Sequence, residues 1–280
     1  MKPGARSAWA RARRNPQVVA GAVIVGVIVV CAIFADLIAT QPTEGFFPGE
    51  GRQGPGREHL FGTDVLGRDI FSRVVHGARS ALQIAGAVVG IIMVAGIVVG
   101  GIAGYAGGWV DTLLSRVIDV FLAFPVLIGA TLIATALGRG RAAVIAGVAA
   151  FSWVTVARLF RSSVIAIRGA AFVDAARTLG AGHARILVRH ILPNAIGPSL
   201  VYSSALVAAA IVAEAALSFL GLGVQEPAAS WGLMIASGQQ YLRTHAHMVL
   251  FPGLALSVTV FGFVMIGEGL RDVLDPEGGR

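Results

Sequence analysis

Few side chains in this sequence are placed to do chemistry. Glu214 stands alone in the long apolar run 195–221. An acid inside a bilayer costs about 2.5–3.5 kcal/mol on insertion scales, so it must face protein or a wet cavity. Two readings are open: Glu214 lines a route through the membrane, or it latches one helix to its neighbour close to a helix end. The second group is Asp174-Ala175-Ala176, followed by Gly180 and then Leu192-Pro193, within a stretch (158–194) that holds six Arg and one acid. Asp174 reads as an N-cap, Gly180 and Gly182 as the stop of a short helix, and 184–189 as a second amphipathic helical piece. Small side chains at Ala175 and Ala176 let a partner surface approach the backbone, which suits mechanical contact rather than bond breaking.

Other chemistries are poorly provided for. His245 and His247 stand two apart with no further ligands nearby in sequence, too little for a metal site. Cys31 is the only cysteine, which excludes an internal disulfide or a thiolate cluster. Lys2 is the only lysine among 22 basic residues, so there is no Gly-Lys-Ser/Thr phosphate loop and no buried Schiff-base lysine. HExxH, Gly-x-Ser-x-Gly and paired acids within apolar runs are missing too. No catalytic residue, metal or cofactor is expected on this chain.

The elements that must position these groups are membrane helices. Of 280 residues, 56 % are hydrophobic and 13 % charged, about half the charge of an ordinary soluble domain. The net charge of +7 comes without a basic stripe interleaved with aromatics, so nucleic acid is not expected; excess arginine suits cytoplasmic loops instead. Apolar runs predict six crossings, at about 15–35, 80–104, 113–137, 142–157, 195–221 and 248–267. Pro125 should bend or break the third. Gly86 and Gly90, and Gly96, Gly100 and Gly104, recur at four-residue spacing and predict close helix contacts. Arg116 and Asp119, three apart, share a helix face. Residues 40–58, rich in Pro and Gly, read as an irregular loop. Leu66, Ile70 and Val74 predict a separate amphipathic helix lying on the membrane interface before the second crossing. Placing both termini in the cytoplasm puts 14 of the 22 Lys and Arg inside.

On these residues the chain resembles a known family. Asp174-Ala175-Ala176, Gly180 and Ile191-Leu192-Pro193 are similar to the coupling (EAA) loop of binding-protein-dependent ABC import permeases, with Asp174 in place of Glu and His190 where the pattern has Ile. His59 to Asp64, Gly67-Arg68-Asp69, Ser72-Arg73, Phe124-Pro125, 214–223, Ser230-Trp231-Gly232, 267–272 and Leu274-Asp275-Pro276 resemble the dipeptide/oligopeptide branch, C-type subunit. The resemblance spans about residues 9 to 276. It implies an all-α polytopic chain with six transmembrane helices and the type I ABC importer permease fold. It divides the chain into a cytoplasmic segment 1–17, a first helix with extracytoplasmic loop and interfacial helix 18–79, a permease core 80–270 with coupling loop 158–194, and a tail 271–280.

The resemblance also implies a place and a set of partners: the bacterial inner membrane, a second homologous permease, two cytoplasmic ATPases that bind ATP and Mg, and an extracytoplasmic substrate-binding protein. Asp174, Ala175, Ala176, Gly180, Leu192 and Pro193 would then engage the ATPase. The solute would be a di- or oligopeptide, with nickel or glutathione import as the near alternative. An ion-gradient-driven transporter is the alternative from another class, for which Glu214 is the one candidate acid.

Overall fold

The computed structural model describes residues 11–274. The expected cytoplasmic segment lies outside this range for residues 1–10, as does the tail for 275–280, including Asp275-Pro276. Nine helices of eight residues or more carry the described fold. The first, α1 (Pro16–Ile33), starts at Asn15, whose Oδ1 accepts from the backbone N–H of Gln17 and Val18 at 2.9 and 3.3 Å; proline fits the first turn because no partner waits for its missing N–H. Val19, Val23, Val27 and Val30 are exposed along α1, the composition of a surface that meets lipid.

The second element, α2 (Ile70–Ala106), is one helix of 37 residues, about 55 Å at 1.5 Å per residue. The expected interfacial helix is therefore not a separate element. Residues 62–69 instead form a tight loop, with Gly62 and Gly67 at φ 77° and 81° and a single bridge between Thr63 and Asp69. The reason is electrostatic. Arg68, Asp69 and Arg73, which an interfacial helix would turn to water, are buried against other charged groups. Asp69 caps the helix by accepting from Ser72 N at 2.8 Å.

The third crossing is broken, as Pro125 predicts. Helices α3 (Gly108–Leu122) and α4 (Val126–Leu137) meet at 84°, with Pro125 as the N-cap of α4. The fourth, α5 (Arg141–Ile167), runs about ten residues past its expected end. Arg158 and Arg161 do not stop it because their charges are taken up sideways. Arg158 reaches Asp119 at 2.9 Å and Arg161 holds Asp111 at 2.5 and 2.7 Å, both acids on α3. The coupling region thus begins later than the expected 158. It consists of α6 (Ala171–Thr178), a turn at His183–Arg185, a π-helical turn at Ile186–Ile191 and a further turn at Leu192–Ala195. Then come α7 (Gly197–Phe219), α8 (Trp231–Gly238) and α9 (His247–Leu274).

Five helices (α1, α2, α5, α7, α9) are long and apolar enough to cross a membrane, and the bent pair α3–α4 makes a sixth crossing. The tightest pairing is α2 on α5. Added Cβ atoms at Gly96 and Gly104 would lie 2.5 and 2.8 Å from Val156 Cβ and Arg161 O, and one at Gly100 would overlap the Ala157 carbonyl. Gly86 and Gly90, with the same spacing, face open space. Ile84, Val88 and Ile92 of α2 anchor the main core with Val144 and Val148 of α5 and Ile211 and Leu217 of α7.

Candidate functional site

The coupling segment is a knob on a small apolar seat. Val173 and Ala176, three apart on α6, turn inward with Ile186, Ile191 and Ala195 onto Phe160 and Val164 of α5. The opposite face of α6 carries nothing of its own fold: Asp174, Ala175 and Arg177 are exposed, and Leu179 is 87 % exposed. Asp174 is not the N-cap. The helix begins at Ala171 with Ala170 as its cap residue, and Asp174 sits in the first turn, where a negative charge suits the helix dipole. Its Oδ1 receives Arg177 Nη1 at 2.8 Å. Gly180, at φ 80°, ends the helix, and Gly180 N and Ala181 N donate to Arg177 O and Ala176 O at 2.9 and 3.0 Å. The structure therefore brings Ala176 and Gly180 to opposite sides of one turn. Leu192 is half-buried and Pro193 exposed, at the far end of the same knob. Tyr105 Oη of α2 lies 2.9 Å from His183 Nδ1 and ties the knob to a second helix.

Glu214 is elsewhere, five residues before the end of α7, and only 1 % exposed. Its Oε1 accepts from Ser218 Oγ at 2.8 Å and from Ser230 Oγ at 2.9 Å. Ser230 is the residue before α8, so the carboxylate joins two elements. The nearby recess of about 490 Å³ is lined by α2, α4, α5, α7 and α9, and Ser152 is its one polar side chain.

A third cluster went unseen in the sequence. Arg68 binds Asp64 through Nε at 2.6 Å and grips Glu226 with both terminal nitrogens. Arg73, 1 % exposed, donates to the carbonyls of Thr43 and Pro227 at 2.7 and 3.2 Å and to Glu226 at 3.5 Å. His59 Nδ1 lies 3.0 Å from Asp69 Oδ1. Burial opposes the Arg68 charge, but the hydrogen bond to Glu226 and the fields of Asp64 and Glu226 outweigh it and raise its pKa above the ordinary arginine value. Only the four-residue spacing of Asp64 and Arg68 hinted at this cluster; Glu226 lies 158 positions from Arg68. The rings of His245 and His247 are 6.0 Å apart. Among the described residues no group of three His, Cys, Asp or Glu could hold a metal ion.

Residues 96–277, from the glycine contacts of α2 through the knob to the end of α9, match the family model of the binding-protein-dependent transport system inner membrane component. The chain belongs to this family. As a member it is an ABC importer permease and a multi-pass protein of the inner membrane, and ATPases and a binding protein are its kind of partner. Residues 5–55 match the N-terminal transmembrane domain of oligopeptide transport permease C. The permease is 40 % identical over 97 % of its length to the dipeptide transport system permease protein of Alkalihalophilus pseudofirmus, covering 90 % of that protein. It is also 40 % identical over 96 % to a glutathione transport system permease protein of Escherichia coli, covering 89 % of it. Its fold is similar to that of a chain in inward facing conformations of the MetNI methionine ABC transporter, with TM-score 0.58, 18 % identity, and coverage of 72 % of this chain and 96 % of the other. The architecture is that of a type I importer permease.

Proposed function

We propose that this permease moves small peptides into the cytoplasm by alternating access, paired with a second, homologous permease subunit. Two ATPases bind ATP and Mg and take hold of the knob, so this chain itself performs no catalysis. The exposed face of α6 carries the proposal, because a folded knob seated on only one side presents the other to a partner. Leu179, a large apolar side chain left 87 % exposed at its tip, fits insertion into a cleft of that partner. Nucleotide-driven closure of the ATPases draws the two knobs together and turns the pathway outward; hydrolysis and reopening turn it inward. Both termini and the knob lie in the cytoplasm, in keeping with the arginine distribution, and the loops carrying Glu226 and residues 40–69 face the binding protein outside. Peptides are supported as the solute by two relatives named for a dipeptide and for glutathione, itself a peptide.

The test is assembly and uptake. Leu179→Asp changes an exposed position and spares the fold; Gly180→Asp meets nothing within 4 Å but strains the backbone at φ 80°, so Leu179→Asp is the deciding variant. In membranes expressing the whole importer, both variants should lose most of the ATPase that co-purifies with the wild-type permease, and should lose ATP-dependent uptake of labelled dialanine or glutathione. Full co-purification together with full uptake in Leu179→Asp overturns the proposal.

A further inference from the structure

Glu214 belongs to a string of contacts that reaches far beyond α7. Ser218 Oγ, which donates to Glu214, also accepts from Val224 N at 3.1 Å and so holds the turn after α7. On the other side Ser230 leads directly into Trp231, which is 1 % exposed and donates Nε1 to the carbonyl of Val74 in α2 at 2.9 Å. Glycines remove any slack. A Cβ on Gly77 of α2 would sit 2.7 Å from the Trp231 indole, and one on Gly232 would overlap the Ala215 carbonyl of α7. Glu214, Ser230, Trp231 and the Val74 backbone thus form an unbroken connection between the outer ends of α7 and α2.

At its inner end α2 is bound to the knob by two routes. Gly96, Gly100 and Gly104 press it against α5, whose Phe160 and Val164 form the seat of α6. Tyr105 reaches His183 directly. A push on the knob therefore displaces a pair of tightly packed helices that runs the full thickness of the membrane. Packed interfaces of this density shift as bodies rather than deform.

We infer that Glu214, Ser230 and Trp231 are the linkage by which movement of α2 repositions the outer half of α7, which makes them positioning residues of the transport cycle. The consequence for transport lies in the recess. Of the seven α7 residues in its wall five are alanine, the others being Leu206 and Val212. Alanine has no rotamers to adjust, so the position of the helix backbone sets the width of that wall. The chemistry of Glu214 fits a linkage: both of its partners are neutral hydroxyls, donating to one oxygen that an amide can also supply. This inference rests on the importer reading above.

The measurement is solute taken up per ATP hydrolysed, in proteoliposomes holding the complete importer with its binding protein, with labelled dialanine and glutathione as probes. Glu214→Ala and Trp231→Phe should lower that ratio roughly tenfold, as loss of charge-assisted or buried hydrogen bonds does, with ATPase co-purification unchanged. Ser230→Ala should lower it less, and Glu214→Gln, which keeps the accepting oxygen, should stay within about twofold of wild type. An unchanged ratio in Glu214→Ala and Trp231→Phe overturns the linkage. So does a Glu214→Gln as defective as Glu214→Ala, because that result assigns the work to the charge itself. If Glu214→Ala does not assemble, Trp231→Phe and Ser230→Ala decide by the same two outcomes.

If the wild-type importer moves neither probe, the peptide reading fails and the linkage is judged separately. Spin labels at Gln83→Cys on α2 and Leu220→Cys beside the end of α7, both exposed, in a Cys31→Ser background, then report the distance from α2 to the α7 end. That distance should stay narrowly distributed with and without trapped nucleotide, and should broaden when Trp231→Phe is added. No broadening overturns the linkage.

Discussion

At the end of α2 proposed to face outward, the outer end, Arg68 and Arg73 are 4 % and 1 % exposed and divide Asp64 and Glu226 between them. At the end proposed to face inward, the inner end, Asp174 and Arg177 form an ion pair with side chains 59 % and 43 % exposed, and the segment is held from below by apolar contacts and the single Tyr105–His183 hydrogen bond. The two ends thus use opposite means. A buried network of charges accepts one geometry, because any member moved away leaves another uncompensated in a low-dielectric interior. An apolar seat is less selective about direction and tolerates rocking, and the exposed pair above it contributes little to stability. Under the proposed cycle, the difference suits a machine whose inner end rocks with its ATPase while its outer end keeps the loops at 40–69 and 220–230 in register with one another.

The sharpest way to break this contrast is Arg73→Met. It removes the donor to the carbonyls of Thr43 and Pro227 and the weaker of the two arginines on Glu226, which keeps Arg68. Removing one member of a buried ionic group costs about 3–5 kcal/mol, so the purified protein should show a large drop in thermal unfolding midpoint in detergent. Glu226→Gln, which takes a carboxylate from Arg68 as well as from Arg73, should lower the midpoint in turn. A single variant as stable as wild type would mean that the outer end is not held by its charges.

The inner end gives a smaller and more local effect. Ile186→Ala opens a cavity in the seat of α6, and such truncations cost about 2–5 kcal/mol in a full core. Here the low end applies, because the seat lies close to the surface and can collapse. Amide exchange should rise over 171–195 while the outer loops stay protected. Leu179→Ala, at the exposed tip, should leave stability within about 0.5 kcal/mol of wild type. Equal exchange changes at both ends of the molecule would dissolve the distinction between them.

Parts of this arrangement were legible in the sequence and parts were not, for physical reasons. Pro125 announced its break because a missing N–H acts wherever it occurs. Gly180 announced the end of α6 for a similar local reason, since few other residues take φ near 80° without strain. Gly96, Gly100 and Gly104 could be predicted as a small-residue face, but Gly86 and Gly90 have the same spacing and meet nothing; a repeat tells which residues share a face, not whether a neighbour lies there. Asp174 looked like a cap because composition alone does not show that helix α6 starts three residues earlier, with no side-chain cap at all. The fourth crossing looked short because Arg158 and Arg161 are charged, and the acids that absorb them lie 39 and 50 positions away. The α8 helix, only eight residues long, lacks the length by which a crossing declares itself. For the glycine face and the fourth crossing the deciding neighbour was remote in sequence.

The smallest expected effect tests whether the ionic character of the outer end extends to its rim. Asp36 lies just beyond α1, its side chain 72 % exposed, and meets Arg79 at 3.0 Å and His76 at 3.1 Å. The hydrogen bond from Arg79, and then that from His76, holds its carboxyl below the ordinary aspartate value. A carboxylate whose folded pKa is depressed adds stability that is fully present above its unfolded pKa, about 3.9, and is lost as pH falls through the lower folded value. Asp36→Asn should therefore unfold slightly earlier than wild type at pH 7, and the gap should close as the pH is taken to about 3 and below. Added salt should shrink the gap at pH 7 as well, because the pair is open to solvent. A gap that survives both acid and salt would place the contribution of Asp36 in its packing, and the charge network would then end at the buried arginines.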